Sequence, residues 1–231
     1  MVDLLELQKH FILAHLHAGD TAVDFTMGNG NDTLFLSETV GAAGRVYAFD
    51  LQESALTSTR AHLQAAGAPE NYTLICASHH RAKEFLDAPF KAGMFNLGYL
   101  PGGDEKGITT KCETTLPAVQ TALELLAPDG ILLVAVYPGH EEGRAEGEML
   151  AEYFATLNRY QYCASLFRIL NSPSAPYFFI IEKRDAAPIR HPGRAAKNAK
   201  RAERLAAQIN EASKQLAEKE TNREAGEGDG N

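Results

Sequence analysis

Short apolar runs alternate with amphipathic segments over residues 1–183 of the 231-residue chain. This alternation is typical of βα units on a parallel sheet, where strands are covered by helices on both faces. The predicted strands are residues 21–25, 45–49, 73–76, 94–97 and 131–137. Two further runs, 162–170 and 177–182, are joined too closely for a crossover and predict an antiparallel hairpin. The expected fold is α/β, with a mostly parallel seven-stranded sheet that ends in this C-terminal hairpin.

Helical periodicity completes the domain. Residues 4–16 predict an N-terminal covering helix, and residues 143–158 predict a helix after the fifth strand. We therefore expect one domain over residues 1–183. Residues 184–231 form a charged extension with almost no large apolar side chains, for which we expect a solvated helix near 195–219 and then a disordered tail.

Composition restricts the class of protein. Hydrophobic residues make up 45% and charged residues 23%, which are globular values. The chain has no run of 18 apolar residues and no basic segment followed by an apolar one at its start, so we expect neither a membrane span nor secretion. The three cysteines are scattered and the histidine pairs lack further ligands, so we expect a reduced cytoplasmic protein without a metal site.

The charge is uneven, because a net charge of −8 coexists with a basic stretch in the extension. Its basic residues are Arg190, Arg194, Lys197, Lys200, Arg201 and Arg204, against Glu203 alone. Such a stretch could contact RNA phosphates, although a solvated helix face is the commoner reason for a basic run.

A glycine-containing turn follows the first predicted strand, where an α/β sheet can bind a ligand. Thr33 stands where a dinucleotide fingerprint has its third glycine, so the match is partial. Asp24 could accept a bond from a cationic amino-acid group and is unfavourable beside a pyrophosphate, which favours S-adenosylmethionine. A tight turn with Asp32 as the helix N-cap is the structural alternative. The candidate cofactor residues here are Asp24, Thr26, Gly28, Asn29, Gly30, Asn31, Asp32 and Thr33.

Asp50 ends the second predicted strand, twenty positions beyond Gly30. Its two carboxylate oxygens can accept the two hydroxyl groups of a ribose, which would serve NAD as well as S-adenosylmethionine. We expect Gln52 to lie along the nucleoside and Ser78 and His79 to border the adenine ring.

The loop after the fourth predicted strand, residues 95–104, is similar to the Asn-Pro-Pro-Tyr loop of amino-group methyltransferases. Asn96 and Tyr99 keep the spacing, but Leu97 and Gly98 replace the two prolines. By this similarity Asn96 would accept a hydrogen bond from a target amine and would also border the cofactor. A glycine-rich loop in which Asn96 binds only backbone groups is the alternative.

The body from residue 20 to 183 resembles a bacterial rRNA-methylase-like family of Rossmann-like class I methyltransferases. The resemblance is carried by residues 24–33, 46–55, 95–104, 108–110 and 136–143. The chain departs from the family pattern at Glu105, which lengthens the loop, at His80, where an acid is expected, and in the extension.

The resemblance implies transfer of a methyl group from S-adenosylmethionine to 5-aminomethyl-2-thiouridine at the tRNA wobble position. Asn96, the Leu97 carbonyl and Tyr99 would orient the amine, and Asp104 or His140 would help to remove its proton. The partner would be a tRNA anticodon stem-loop. The oligomeric state stays open, with a homodimer as one option.

Three alternatives remain from the sequence. An rRNA or small-molecule amine methyltransferase would use nearly the same cofactor residues. An NAD-dependent oxidoreductase would use Gly28, Gly30 and Asp50, but the incomplete glycine pattern, Asp24 and the terminal hairpin oppose it. A non-catalytic RNA-binding protein with this fold would be expected to have lost cofactor residues, and none of them is missing.

Overall fold

The computed structural model describes residues 4–97, 112–139 and 141–184, together with positions 200, 204 and 207. Most of the extension therefore lies outside the described residues, and so do Tyr99, Asp104 and His140. The three isolated positions are helical, within the segment for which a helix is predicted. Among the described residues, no helix combines the length and the apolar character that crossing a bilayer requires.

Within the described residues, seven strands form one sheet in the order β3-β2-β1-β4-β5-β7-β6. The strands are β1 Thr21–Asp24, β2 Arg45–Asp50, β3 Tyr72–Cys76, β4 Phe90–Leu97, β5 Leu126–Val136, β6 Tyr162–Phe167 and β7 Tyr177–Lys183. The first five pair in parallel, while β7 pairs antiparallel with both β5 and β6. The predicted seven-stranded sheet and its C-terminal hairpin are thus confirmed.

The boundaries of β4 and β5 differ from the prediction. β4 begins at Phe90 rather than at residue 94, and β5 begins at Leu126 rather than at residue 131. The two early segments pair with each other, Phe90 opposite Leu126, before an irregularity in the register leads to the pair Ala92 and Ile131. This extension depends on pairing between distant segments, so local sequence preference does not reveal it.

Helices cover both faces of the sheet. They are α1 Leu4–Leu13, α2 Asn31–Val40, α3 Glu53–Ala66, a short 3-10 helix His79–Glu84, α4 Cys112–Leu125 and α5 Glu141–Thr156. One apolar cluster joins α1 and α2 to the sheet through buried residues such as Ile12 and Leu36. The other joins the 3-10 helix, α4 and α5 to the opposite face. The predicted covering helix is therefore confirmed, and it ends at Leu13.

Aromatic side chains fill the centre of the second cluster. Phe25 stacks on Phe95 with ring centroids 4.2 Å apart, and it also packs against Phe49 and Phe90. All four rings are almost completely buried, and aromatic residues of this size contribute much of the apolar area that a core removes from water. This packing anchors the ends of β1 and β4, which carry the candidate site.

The strand order changes direction between β1 and β4, because β1 leads outward to β2 and β3 while β4 leads to β5. Ligands of open α/β sheets bind in the crevice at the carboxyl ends of the strands at such a switch point. The turn after β1 and the carboxyl end of β4 both lie at this position.

Candidate active site

The turn between β1 and α2 depends on two glycines with positive φ. Gly28 has φ 52° and Gly30 has φ 82°, backbone conformations that are unfavourable for residues with a side chain. α2 begins at Asn31, directly after Gly30, which occupies the N-cap position without a side-chain cap. The interpretation of Asp32 as the helix N-cap is therefore wrong, since Asp32 lies inside the first turn of α2.

Asp24, at the end of β1, stabilises this turn from inside the core. Its side chain is completely buried, its Oδ1 accepts the Thr26 N–H at 3.0 Å and its Oδ2 accepts the Thr33 hydroxyl at 2.7 Å. Burial, and next the nearby charge of Asp32, raise the pKa of Asp24 to about 7. Through these two hydrogen bonds Asp24 stabilises the turn and the start of α2. Its direct contact with the amino-acid part of a cofactor stays a prediction.

Asp50 joins the end of β2 to the same turn. Its Oδ2 accepts the Gly28 N–H and its Oδ1 accepts the Gln52 N–H, each at 3.0 Å. A carboxylate has about four lone-pair positions, so each oxygen of Asp50 retains capacity for another donor. Two ribose hydroxyl groups are donors of this kind. The structure thus brings Gly28, Asp50 and Gln52 together as the sequence predicts.

Helix α3 supports the outer side of the turn through residues that the sequence analysis missed. The Thr59 hydroxyl donates to the Gly28 carbonyl at 3.0 Å, and the His62 Nδ1 lies 2.9 Å from the Asn29 carbonyl. Ser58 donates to the Asn29 side chain at 3.2 Å. These three residues share one helical face by their spacing, which is the only signal in the sequence that could have grouped them.

His79 lies at the start of the 3-10 helix and is almost completely buried. Its Nδ1 is 3.0 Å from the Phe25 carbonyl, which can only accept, so Nδ1 carries the proton. The pKa of His79 is lowered, chiefly because the ring is buried, and this favours the neutral ring. Nε2 is then a buried acceptor that has no partner among the described residues. An exocyclic amine of a nucleobase would satisfy it, which fits the predicted adenine border.

Ser78 precedes His79, and its hydroxyl lies 2.7 Å from Nδ1 of His80. Ser78 is half-buried and His80 is exposed. The position of Ser78 beside the predicted adenine border stays a prediction.

Asn96 is half-buried and lies next to the last residue of β4, Leu97. Because side chains alternate along a strand, it shares the face of Met94, which α1 and α2 cover. Its backbone N–H donates to the Thr26 hydroxyl at 2.7 Å, and its side-chain Nδ2 donates to the Asp32 carboxylate. Its Oδ1 is buried and has no partner among the described residues. An unsatisfied buried acceptor costs about 1–3 kcal/mol, a cost that a bound N–H donor would remove. The alternative in which Asn96 serves only backbone groups does not account for this oxygen.

Asp32 contacts Asn96 and interacts electrostatically with Lys9 and Tyr137, which the sequence analysis did not name as site residues. The pKa of Asp32 is raised, chiefly because the carboxyl group is buried. The Lys9 ammonium and the Asn96 hydrogen bond oppose that shift. Burial also raises the pKa of Tyr137, and the charge of Asp32 adds to this. Lys9 comes from α1 and Tyr137 follows β5, so only the packing of helices on the sheet brings them to Asp32.

The structure therefore groups most of the predicted site around the switch point. The predicted residues from Asp24 to Thr33 lie in or next to the turn between β1 and α2, and Asn96 lies near the end of β4. Asp50 ends β2, and Gln52, Ser78 and His79 follow the carboxyl ends of β2 and β3. Tyr99, Asp104 and His140 lie outside the described residues, so their predicted roles stay predictions. Among the described residues, no three His, Cys, Asp or Glu side chains cluster as metal ligands would.

Comparison with known proteins gives consistent matches. The family model described as "Putative rRNA methylase" matches residues 46–183. A chloroplastic tRNA (mnm(5)s(2)U34)-methyltransferase of Arabidopsis thaliana is 38% identical over 180 residues, which are 74% of this chain and 65% of that protein. This chain thus spans slightly less than two thirds of that relative.

Solved structures also match most of this chain. The crystal structure of a "putative rRNA-methylase" from Clostridium thermocellum is 38% identical with a TM-score of 0.76, covering 79% of this chain and 98% of that one. A "putative methyltransferase" from Streptococcus mutans in complex with SAH is 36% identical with a TM-score of 0.72, covering 79% of this chain and 99% of that one.

The sheet order, the antiparallel hairpin and the crevice at the switch point define a Rossmann-like class I methyltransferase fold. Within that class, the chain belongs to the rRNA-methylase-like family of S-adenosylmethionine-dependent methyltransferases. The predicted family and fold class are confirmed. Membership of this family supports the predicted enzyme class and the predicted cofactor.

Proposed function

We propose that this protein transfers a methyl group from S-adenosylmethionine to the aminomethyl group of 5-aminomethyl-2-thiouridine at the wobble position of tRNA. The observation that carries the proposal is the buried Oδ1 of Asn96 beside the glycine turn, which has no partner within the part of the chain that the structure describes. The name of the Arabidopsis relative, a tRNA (mnm(5)s(2)U34)-methyltransferase, supports this choice of substrate.

The cofactor part of the proposal rests on the acceptors around the crevice. Asp50 would bind the ribose hydroxyl groups through its remaining lone pairs, and Nε2 of His79 would accept from the adenine amine. Gly28 and Gly30 keep side chains out of the turn where the rest of the cofactor would pass. Bound S-adenosylmethionine supplies an electrophilic methyl group on a sulfonium centre.

The amine must be neutral to attack that methyl group, because an ammonium has no lone pair. A neutral primary amine has two N–H donors, and Oδ1 of Asn96 would accept one of them. We propose the Leu97 carbonyl and Tyr99 as further groups that orient the amine, so that its lone pair faces the methyl group. Asp104 or His140 would take up the proton that the amine loses.

An anticodon-loop base suits a crevice of this kind. A wobble base is already single-stranded, so presenting it to a protein costs less than flipping a base out of a duplex. The acidic body needs local basic groups for RNA, and the basic stretch of residues 190–204 is the proposed contact. A cytosolic location remains the prediction from the sequence, whereas the Arabidopsis relative is chloroplastic.

Nucleoside mass spectrometry tests the proposed function. Purified protein is incubated with S-adenosylmethionine and precursor tRNA that carries aminomethyl-thiouridine, and Asn96→Ala is the control variant. We expect a gain of one methyl group on that nucleoside with the wild type and none with Asn96→Ala, while calorimetry shows cofactor binding by both. Full turnover by Asn96→Ala would contradict the role of Asn96.

A wild type that binds S-adenosylmethionine but leaves this nucleoside unchanged would contradict the proposed substrate. The next substrates to test would then be rRNA and small amines. Titration with NAD in the same calorimeter separates the oxidoreductase alternative, since binding of NAD without binding of S-adenosylmethionine would contradict the proposed cofactor.

A further inference from the structure

We propose that Asp32 is a positioning residue for Asn96, which turns the amide of Asn96 so that its Oδ1 faces the target amine. This inference rests on the proposed amine substrate, and it assigns Asp32 a role other than the predicted contact with the cofactor.

The orientation of the Asn96 amide follows from the chemistry of its partner. An ionised carboxylate is an acceptor only, so the group that faces Asp32 must be the NH₂ of the amide, as the structure shows. The amide is planar, and its oxygen is therefore directed away from Asp32. Turning the amide over would place two acceptors against each other. The negative charge of Asp32 thus selects one of two orientations that have almost the same shape.

The backbone of Asn96 is held independently of this contact. Its N–H donates to Thr26 at 2.7 Å, and its neighbour Phe95 stacks on Phe25 in the core. With the backbone held, rotation of the side-chain amide is the remaining freedom at Asn96. Asp32 removes that freedom, and the oxygen left over is the buried atom that has no partner among the described residues.

Asp32 must keep its charge to work in this way. A protonated Asp32 could donate to the oxygen of Asn96, and the NH₂ would then face the substrate with the wrong polarity. The groups that act on Asp32 are Lys9 from α1, Asp24 at the end of β1 and Tyr137 after β5. Lys9 favours the charged form, whereas burial of Asp32 and the nearby Asp24 oppose it.

Exchanging the two side chains tests the proposal. Asp32→Asn makes both amide orientations possible, and Asn96→Asp places two carboxylates side by side. The double variant with both substitutions restores one carboxylate and one amide in contact, and it again offers an acceptor to the amine. We expect each single variant to lose about 100-fold in kcat, and the double variant to exceed both by about tenfold or more.

Cofactor affinity separates positioning from cofactor binding. We expect the Kd for S-adenosylmethionine to change less than about threefold in Asp32→Asn, a factor that corresponds to a fraction of one hydrogen bond. Asp87→Asn is the matched control. It removes the same charge from an exposed residue near Arg45, at the amino ends of the strands and away from the site. A weakened Kd with unchanged kcat in Asp32→Asn would assign Asp32 to the cofactor and overturn the proposal.

A measurement without substrate tests the contact itself. The side-chain NH₂ signals of Asn96 in a ¹⁵N correlation spectrum are identified by their loss in Asn96→Asp. We expect them to shift with pH in the wild type as Asp32 titrates, and to lose that titration in Asp32→Asn. Signals with the same pH dependence in both proteins would overturn the proposal. A wild type that fails to methylate the tRNA contradicts only the proposed function, because the spectrum still reports on the pair.

Discussion

The backbone N–H of Asn96 donates to the hydroxyl of Thr26 at 2.7 Å, across the point where the strand order of the sheet changes direction. Just before these two residues, the Phe25 N–H donates to the Met94 carbonyl at 2.9 Å. These bonds continue the pairing of β1 and β4 beyond the regular strand. The turn after β1 and the end of β4 are therefore held together. A displacement of either would change the distance between the groups proposed to bind the cofactor and the amine.

Thr26→Val removes the hydroxyl but keeps the branched shape. The Asn96 N–H then loses its acceptor, and we expect a loss of about 1–3 kcal/mol in the free energy of unfolding. We also expect kcat to fall more than the affinity for S-adenosylmethionine. Thr26→Ser is the matched control, because it retains the acceptor. Urea unfolding and steady-state kinetics measure both effects, and equal results for the two variants would contradict the role of the hydroxyl.

Asp50→Asn keeps the size of the side chain but replaces one acceptor oxygen with a donor. Either the Gly28 or the Gln52 N–H then faces an NH₂ group, and one proposed ribose contact is lost. Since bonds to charged groups are worth about 1.5–3 kcal/mol, we expect the affinity for S-adenosylmethionine to fall by about tenfold to 100-fold. Calorimetry checks this, with Asp87→Asn as the control. An unchanged affinity would remove Asp50 from the cofactor site.

The raised pKa of Asp24 predicts how the free energy of unfolding depends on pH. Its pKa in the folded protein, about 7, lies above the ordinary value of 3.8, so the folded state binds this proton more tightly than the unfolded state. Its contribution to stability is therefore present at acid pH, declines as the pH rises from about 4 to about 7, and stays low above that range.

Asp24→Asn removes this ionisation while an amide can still bond Thr26 and Thr33. We expect the variant to gain at least about 1 kcal/mol relative to the wild type between pH 5 and pH 8. Urea unfolding of both proteins at the two pH values measures the difference. A constant difference between them would show that Asp24 is ionised throughout this range.

Gly30→Ala tests the crowding of the turn between β1 and α2. A Cβ at Gly30 would lie 2.7 Å from the Thr59 Cγ2, and φ at this position is 82°. We expect a loss of about 1–3 kcal/mol in the free energy of unfolding beyond that of Gly19→Ala. Gly19 is the matched control, because its φ is 91° but nothing lies within 4 Å of its added Cβ. Equal losses in the two variants would mean that backbone strain alone sets the cost.

Local pattern was enough to predict the strand plan. Buried parallel strands are continuous apolar runs, and the short connection between β6 and β7 permits only an antiparallel hairpin. Pattern was insufficient at the starts of β4 and β5, where Phe90 and Leu126 are strand residues because they pair with each other. Those ends became predictable only with a partner strand in place.

The candidate site divides in the same way. The glycine turn, Asp50 and Asn96 were predicted because each belongs to a contiguous motif at the end of a strand. Lys9 belongs to no motif, and Tyr137, although it lies in the motif after β5, has no role that its motif predicts. Both residues influence Asp32 through the folded arrangement of α1, α2 and β5. The sequence also did not predict that Asp24 is buried, because an aspartate before a turn gives the same pattern whether its carboxylate faces solvent or the core.

The sequence by itself determined the order of strands and helices, the family and the chemical groups available at the switch point, because these follow from periodicity and from motifs contiguous in the chain. Only the tertiary structure decided which of those groups remain available to a ligand. Asp24 is completely buried, and its oxygens accept from Thr26 and Thr33, whereas Asn96 keeps one oxygen without a partner among the described residues. The physical reason is that hydrogen bonds and pKa values depend on contacts between distant segments and on exclusion of water, and neither is a property of a local run of residues.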